Sequence, residues 1–153
     1  SLPVNSAAEL ARRLIPGLLA RVLLCVALTA APAPFATLTP QDAGRVVARL
    51  FVQEAYLSLG AAAVVVLLER RKAAADAETG GGSRFSMAMM LALVAMFCTV
   101  AGYFGIQPML AAARNGQGAW TFGQLHAVSL AFFAVKLGAV LVLASRTASA
   151  ARN

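Results

Sequence analysis

Charge is scarce in this sequence. Only 12% of its 153 residues are charged, and acids are fewest, with six Asp and Glu against 13 Lys and Arg. Soluble domains carry about a quarter charged residues, so a soluble fold is excluded. Cysteine occurs only twice, too rarely for a disulfide scaffold, and there is one histidine. The chain is also too apolar to be a disordered tail. What is abundant is hydrophobic surface: 60% of the residues are apolar and the mean hydropathy is +0.76. A chain of this length is too short for two ordinary globular domains. An integral membrane protein of a few helices remains.

The net charge of +7 invites a nucleic-acid reading. The Lys and Arg residues sit at the ends of apolar segments, however, and form no stripe interleaved with aromatics. They read as flanks that set membrane topology, with no nucleic-acid partner. Cys25 and Cys98 lie inside apolar segments with no ligand-type neighbours and are expected to be small buried hydrophobes.

Crossing roughly 30 Å of hydrocarbon takes about 20 apolar residues. Four segments qualify, at about 17–36, 50–68, 85–109 and 122–144. Only a helix satisfies its own backbone at that depth, and no period of two runs through them. The expected fold is an all-α, antiparallel four-helix membrane bundle forming one domain over 1–153.

Before span one, Ser6 and Glu9 form a capping box, and Pro16-Gly17 then breaks the pattern. This predicts a short surface helix over 7–15, separate from span one. Thr39-Pro40-Gln41-Asp42 predicts a helix start: Thr39 caps, Pro40 takes the first turn, and Asp42 meets the positive dipole end. Residues 73–83, with three consecutive glycines, read as a flexible loop, and Asn115-Gly116-Gln117-Gly118 as a turn.

Counting cations orients the bundle. Arg12, Arg13, Arg70, Arg71, Lys72, Arg84, Arg146 and Arg152 fall on one side, and Arg45, Arg49 and Arg114 on the other. Positive loops stay in the cytoplasm, so both termini are expected there. Phe35, Phe51, Tyr103, Phe104, Trp120 and Phe122 gather at the opposite interface as an aromatic belt.

Ionisable groups inside the membrane are the default functional candidates. Here they are Glu54, His126 and Lys136. Helical rise puts Lys136 roughly 8 Å from the cytoplasmic edge, within reach of snorkelling, so it is expected to be structural. Glu54 and His126 fall at a common level in the outer leaflet, which predicts that spans two and four are neighbours there. Gln53, Glu54, Gln107, Gln124, His126 and Ser129 make a candidate polar cluster. It either fixes helix register through hydrogen bonds or forms a site for a small ligand, proton or cofactor. His126 is the one candidate cofactor ligand, for haem, but no partner ligand stands at a compelling spacing. No catalytic signature occurs: no Ser-His-acid order with a glycine elbow, no HExxH and no phosphate loop. Neither catalytic residues nor a metal site nor a bound cofactor is predicted. Small residues at four-residue spacing, among them Ser58 and Ala62, Ala127 and Ala131, and Ala134 and Gly138, permit close helix contact.

Several short runs, in order, carry a resemblance. They are Ala33-Pro34-Phe35-Ala36-Thr37-Leu38, the stretch from Asp42 to Phe51, Gly102-Tyr103-Phe104 with Pro108-Met109, and Phe122-Gly123-Gln124-Leu125-His126-Ala127-Val128-Ser129. Together they resemble a bacterial four-span membrane family of unknown function. That family is related to the eukaryotic transmembrane-protein-two-hundred-and-five proteins and, more distantly, to copper-resistance-D-like membrane proteins. Its members often carry a polar residue seven positions after the His, where this chain has Phe133. The resemblance implies a four-span fold and a multi-pass place in a bacterial inner membrane, and no established activity. The leading expectation is a non-enzymatic accessory or scaffold subunit, with the bilayer and other integral membrane subunits as partners. The alternative is a small transporter or a metal- or haem-handling protein that uses the outer-leaflet polar site.

Overall fold

The computed structural model describes residues 4–82 and 85–150. Ser83, Arg84 and Arg152, which entered the loop and charge readings above, lie outside the described residues. Among the described residues all regular structure is helical. Four helices are long and apolar enough to cross a membrane: Ser6–Thr37, Pro40–Glu78, Met87–Arg114 and Phe122–Ser149. Span one comprises α1 (Val4–Cys25), a π-helical turn (Val26–Ala30) and α2 (Ala33–Thr37). Span two is the single 39-residue α3 (Pro40–Glu78). Span three joins α4 (Met87–Thr99), a second π-helical stretch (Val100–Gly105) and α5 (Ile106–Arg114), and span four is α6 (Phe122–Ala150).

The start of α3 follows its local chemistry. The Thr39 side chain accepts a hydrogen bond from the Asp42 backbone N–H, and Pro40 occupies the first turn, where its missing donor goes unmissed. Two expected interruptions do not occur. Pro16 sits inside α1 with its side chain fully buried, so the predicted surface helix over 7–15 is the first half of one continuous helix. That helix already runs from Val4, which puts Ser6 inside it rather than at its cap. Proline is tolerated within packed membrane helices because neighbouring elements hold the backbone that it leaves unpaired. The loop expected over 73–83 is mostly helix as well. The alanines of 73–75 favour helix, and Lys72 pairs with Asp76 at 2.7 Å at the i, i+4 spacing. The chain turns at Gly80 and Gly82, and again at Gly116 and Gly118, all at positive φ. Cys25 is exposed rather than buried, because it points off the packed face of α1 that carries Leu19 and Leu23.

The four spans pack as a ring in the order one, two, three, four. No Cα of span two lies within 8 Å of a Cα of span four among the described residues, so those two are diagonal. The expectation that they are neighbours is therefore corrected, because each of them packs instead on spans one and three. At the end carrying Arg12 the ring is filled by Leu19, Leu23, Ala62, Ala95 and Val140, with Val65, Ala92 and Leu143 beyond. Small residues from α3 and α4 leave room there for the larger side chains of α1 and α6. Toward the end carrying Arg114 the filling is different. Ile106, Leu110 and Leu125 pack between spans three and four alone, and the centre of the ring stays open.

A cavity across the diagonal of the bundle

Each π-helical stretch ends two or three residues before a proline, Pro32 or Pro108. The proline ring clashes with the carbonyl four residues back, and the turn before it widens to accommodate that clash. Such widened turns occur often at functional sites. Both lie against the same space, since Ala27, Gly102 and Tyr103 line one cavity of about 610 Å³. It runs from Pro40, Arg114 and Phe122 at one end of the bundle down to Glu54 and Lys136.

The floor of the cavity is an ion pair. Glu54, Ser58, Ala62, Val65 and Glu69 fall on the buried face of α3, so the Glu54 carboxylate is directed into the ring. Lys136 is the central residue of the 29-residue α6, about 21 Å from either end. Its Nζ donates to Glu54 Oε1 at 2.6 Å, and Ser58 Oγ donates to the same oxygen at 2.5 Å. Both charged side chains are about 5% exposed. The pair thus bridges the two diagonal helices. A charge at this depth is expensive unless it is partnered, and the two groups supply each other's partner.

Two expectations are overturned here. Lys136 does not snorkel, because its side chain turns into the ring, where it is buried and its ammonium is held by Glu54. Glu54 does not turn to His126, because the α6 residue that meets it is Lys136, ten residues and about 15 Å of helical rise beyond His126. His126 instead stacks on Phe122, with ring centroids 5.9 Å apart and planes 7° from parallel. The Arg114 guanidinium lies 5.0 Å from the centroid of the same Phe122 ring.

The predicted polar cluster is brought together in part. Glu54, Gln107, His126 and Ser129 all line the cavity. Ser129 Oγ donates to the Gly102 carbonyl at 3.4 Å, in the π-helical stretch of span three. Gln53 is exposed on the outer side of α3. Gln124 is a helix cap: its Oε1 accepts from the Thr121 N–H at 3.0 Å, and its own N–H donates to Thr121 Oγ1 at 3.2 Å. Among the described residues, no three of His, Cys, Asp and Glu converge as metal ligands would.

A second polar centre was not anticipated. Glu69, 3% exposed, accepts from Arg12 Nη1 at 3.0 Å and from Ser86 Oγ at 3.3 Å. Arg12 also binds Glu9 at 2.8 Å. These contacts tie the starts of spans one and three to α3 at the end opposite the cavity mouth. The available signal was the spacing of Glu69 from Glu54, which keeps both on the inward face of one helix.

The chain belongs to the family described as Domain of unknown function (DUF4149), which matches residues 14–119. That match covers most of span one, spans two and three, and both π-helical stretches, and stops just before α6, which supplies Lys136 and His126. No curated protein and no solved structure matches the chain.

Proposed function

We propose that this protein is a non-enzymatic, small-solute-binding membrane protein of the transporter class, with the cavity as its binding site. One observation carries the reading: a cavity of about 610 Å³ descends from one end of the bundle to a buried ion pair. That volume falls within the range of small-molecule sites, which are mostly apolar with a few convergent polar groups. The ion pair is also costly to keep unless it does something, since apolar residues of similar volume would stabilise the bundle at least as well. We place the Arg12 end in the cytoplasm of a bacterial inner membrane, on the bias of positive residues, so the mouth faces outward. We also read a kinship with the eukaryotic transmembrane-protein-two-hundred-and-five proteins, on the span-three and span-four motifs quoted above.

Cys98 tests the cavity, because it lines the wall near the floor. In protein with Cys25→Ala, Cys98 is expected to react with a small water-soluble thiol reagent applied from the mouth side. A bulky reagent of the same chemistry is expected to react far more slowly. Equal inertness to both in the folded protein would remove the binding-site reading.

An accessory role in a larger inner-membrane assembly stands as a second reading. Ala127, Ala131, Ala134 and Gly138 are all exposed on α6 and form a small-residue stripe that allows another helix to approach closely. Native purification in mild detergent tests it, since a subunit arrives with its partners and a free-standing carrier arrives alone.

A further inference from the structure

We propose that the cavity takes a small organic monoanion, and that its binding at Lys136 is coupled to uptake of one proton by Glu54. The proposal rests on the binding-site reading above and adds the ligand class and its coupling.

The charge of the lining sets the class. Among the described residues that line the cavity, Glu54 is the one acid, against Lys136 and Arg114, with His126 beside Phe122. Glu54 is already neutralised by Lys136, so the surplus is cationic. Its position runs against the bias of topology: positive residues are disfavoured at the end with fewer cationic flanks. Arg114 nonetheless sits at the mouth, with an aromatic ring rather than a carboxylate beside it. Such a mouth concentrates anions. The walls beyond it are aromatic, including Phe51, Tyr103 and Phe133, and suit an apolar body.

The floor sets the coupling. Lys136 uses one of its three N–H donors on Glu54, and Glu54 Oε2 takes no hydrogen bond from the described residues yet is not sealed from the cavity. The pair is neutral as it stands. An anion that takes Lys136 for itself would leave two negative charges on one ammonium in a low-dielectric bundle. Protonation of Glu54 restores neutrality: the proton is taken up from the buffered solution at the mouth, whose buffer acid gives it up, and forms an O–H bond on the carboxylate, and no bond in the anion breaks. The protonated group then donates where it had accepted. The titratable groups on the same cavity are Lys136 and His126 from α6, and Cys98, Tyr103 and Arg114 from span three. Span one contributes Ala27, Ala31, Pro32 and Phe35, none of which titrates. Among the described residues, Glu54 hydrogen-bonds the ammonium that an anion must capture, and none of these other groups does.

The test is calorimetric titration of the full chain in lipid nanodiscs, with three probes of one shape: benzoate, benzylamine and benzyl alcohol. Benzoate is expected to bind most tightly, and its affinity to rise about tenfold for each unit of pH lowered between about pH 8 and pH 6, where benzoate stays an anion. Repeating the titration in two buffers of different ionisation enthalpy counts protons on the unmodified chain, and one per bound anion is expected. Glu54→Gln should bind benzoate with no pH slope, and Glu54→Gln with Lys136→Met should lose the preference for the anion. Zero protons per anion would overturn the coupling. So would a slope that survives Glu54→Gln and vanishes in His126→Gln. Tighter binding of benzylamine or benzyl alcohol would overturn the anion class and leave the cavity reading standing. Absence of binding by all three probes would fail that reading itself.

Discussion

At the scale of single residues, the energetics turn on Glu54 and Lys136. A buried pair of this kind contributes little over an apolar replacement, but removing one partner strands a charge. Lys136→Met is therefore expected to destabilise the bundle by about 3 kcal/mol, the low end for a broken buried pair because one side opens on the cavity. Glu54→Gln combined with Lys136→Met should recover most of that loss. Thermal unfolding of the two variants and the parent in one detergent measures the difference, and equal stability of parent and Lys136→Met would show that the pair is dispensable. Depth arithmetic on the sequence pointed the other way, toward a snorkelling lysine. Depth alone does not say which face of α6 the lysine occupies, and that face turns inward to Glu54. Ser145, Arg146 and Thr147 meanwhile continue the helix. Ser145 and Thr147 each donate to the backbone carbonyl three residues earlier, so they extend the turn instead of ending it.

At the scale of elements, close approach of spans three and four depends on Gly102. A Cβ built there would stand 2.7 Å from Phe132 Cβ, a distance that backbone-bound carbons cannot hold. Gly102→Ala should therefore push α6 away and destabilise by about 1–3 kcal/mol, as overpacking does. Gly60→Ala and Gly138→Ala, where nothing lies within 4 Å, should be neutral or slightly stabilising. A loss at Gly102 no larger than at those two would mean that the helices can shift freely. Much of the element order was readable beforehand: the Thr39 cap, Pro40, the apolar lengths and the Gly116 and Gly118 turn all speak locally. The π-helical stretches were not. Pro32 and Pro108 mark where a helix is disturbed, but whether it breaks, kinks or widens is decided by what packs against it. Pro16 shows the same limit, since a buried proline left its helix continuous.

At the scale of the whole molecule, four of the six expected cluster residues share one cavity, because helical periodicity and approximate depth are both sequence properties. The identity of the pair across it was not readable. Ring packing puts spans two and four on a diagonal, and side-chain reach across a diagonal depends on how far the helices are held apart. Orientation is the remaining whole-molecule quantity, and charge predicts it. Arg12, Arg13, Arg70, Arg71, Lys72 and Arg146 flank one end among the described residues, while Arg45, Arg49 and Arg114 flank the other. Retention of cationic loops on the cytoplasmic side favours the first end inside. Ion pairing does not reverse the bias: Glu9 and Glu69 engage Arg12, yet Arg70 and Arg71 are exposed and extend it. The prediction is that a single Cys at Thr79, in a chain with Cys25 and Cys98 replaced, resists membrane-impermeant thiol reagents in intact cells and reacts after lysis. A single Cys at Gln117, in the turn at the opposite end, should react before lysis. The reverse pattern would put the cavity mouth in the cytoplasm, where the same cationic lining would meet internal anions instead of external ones.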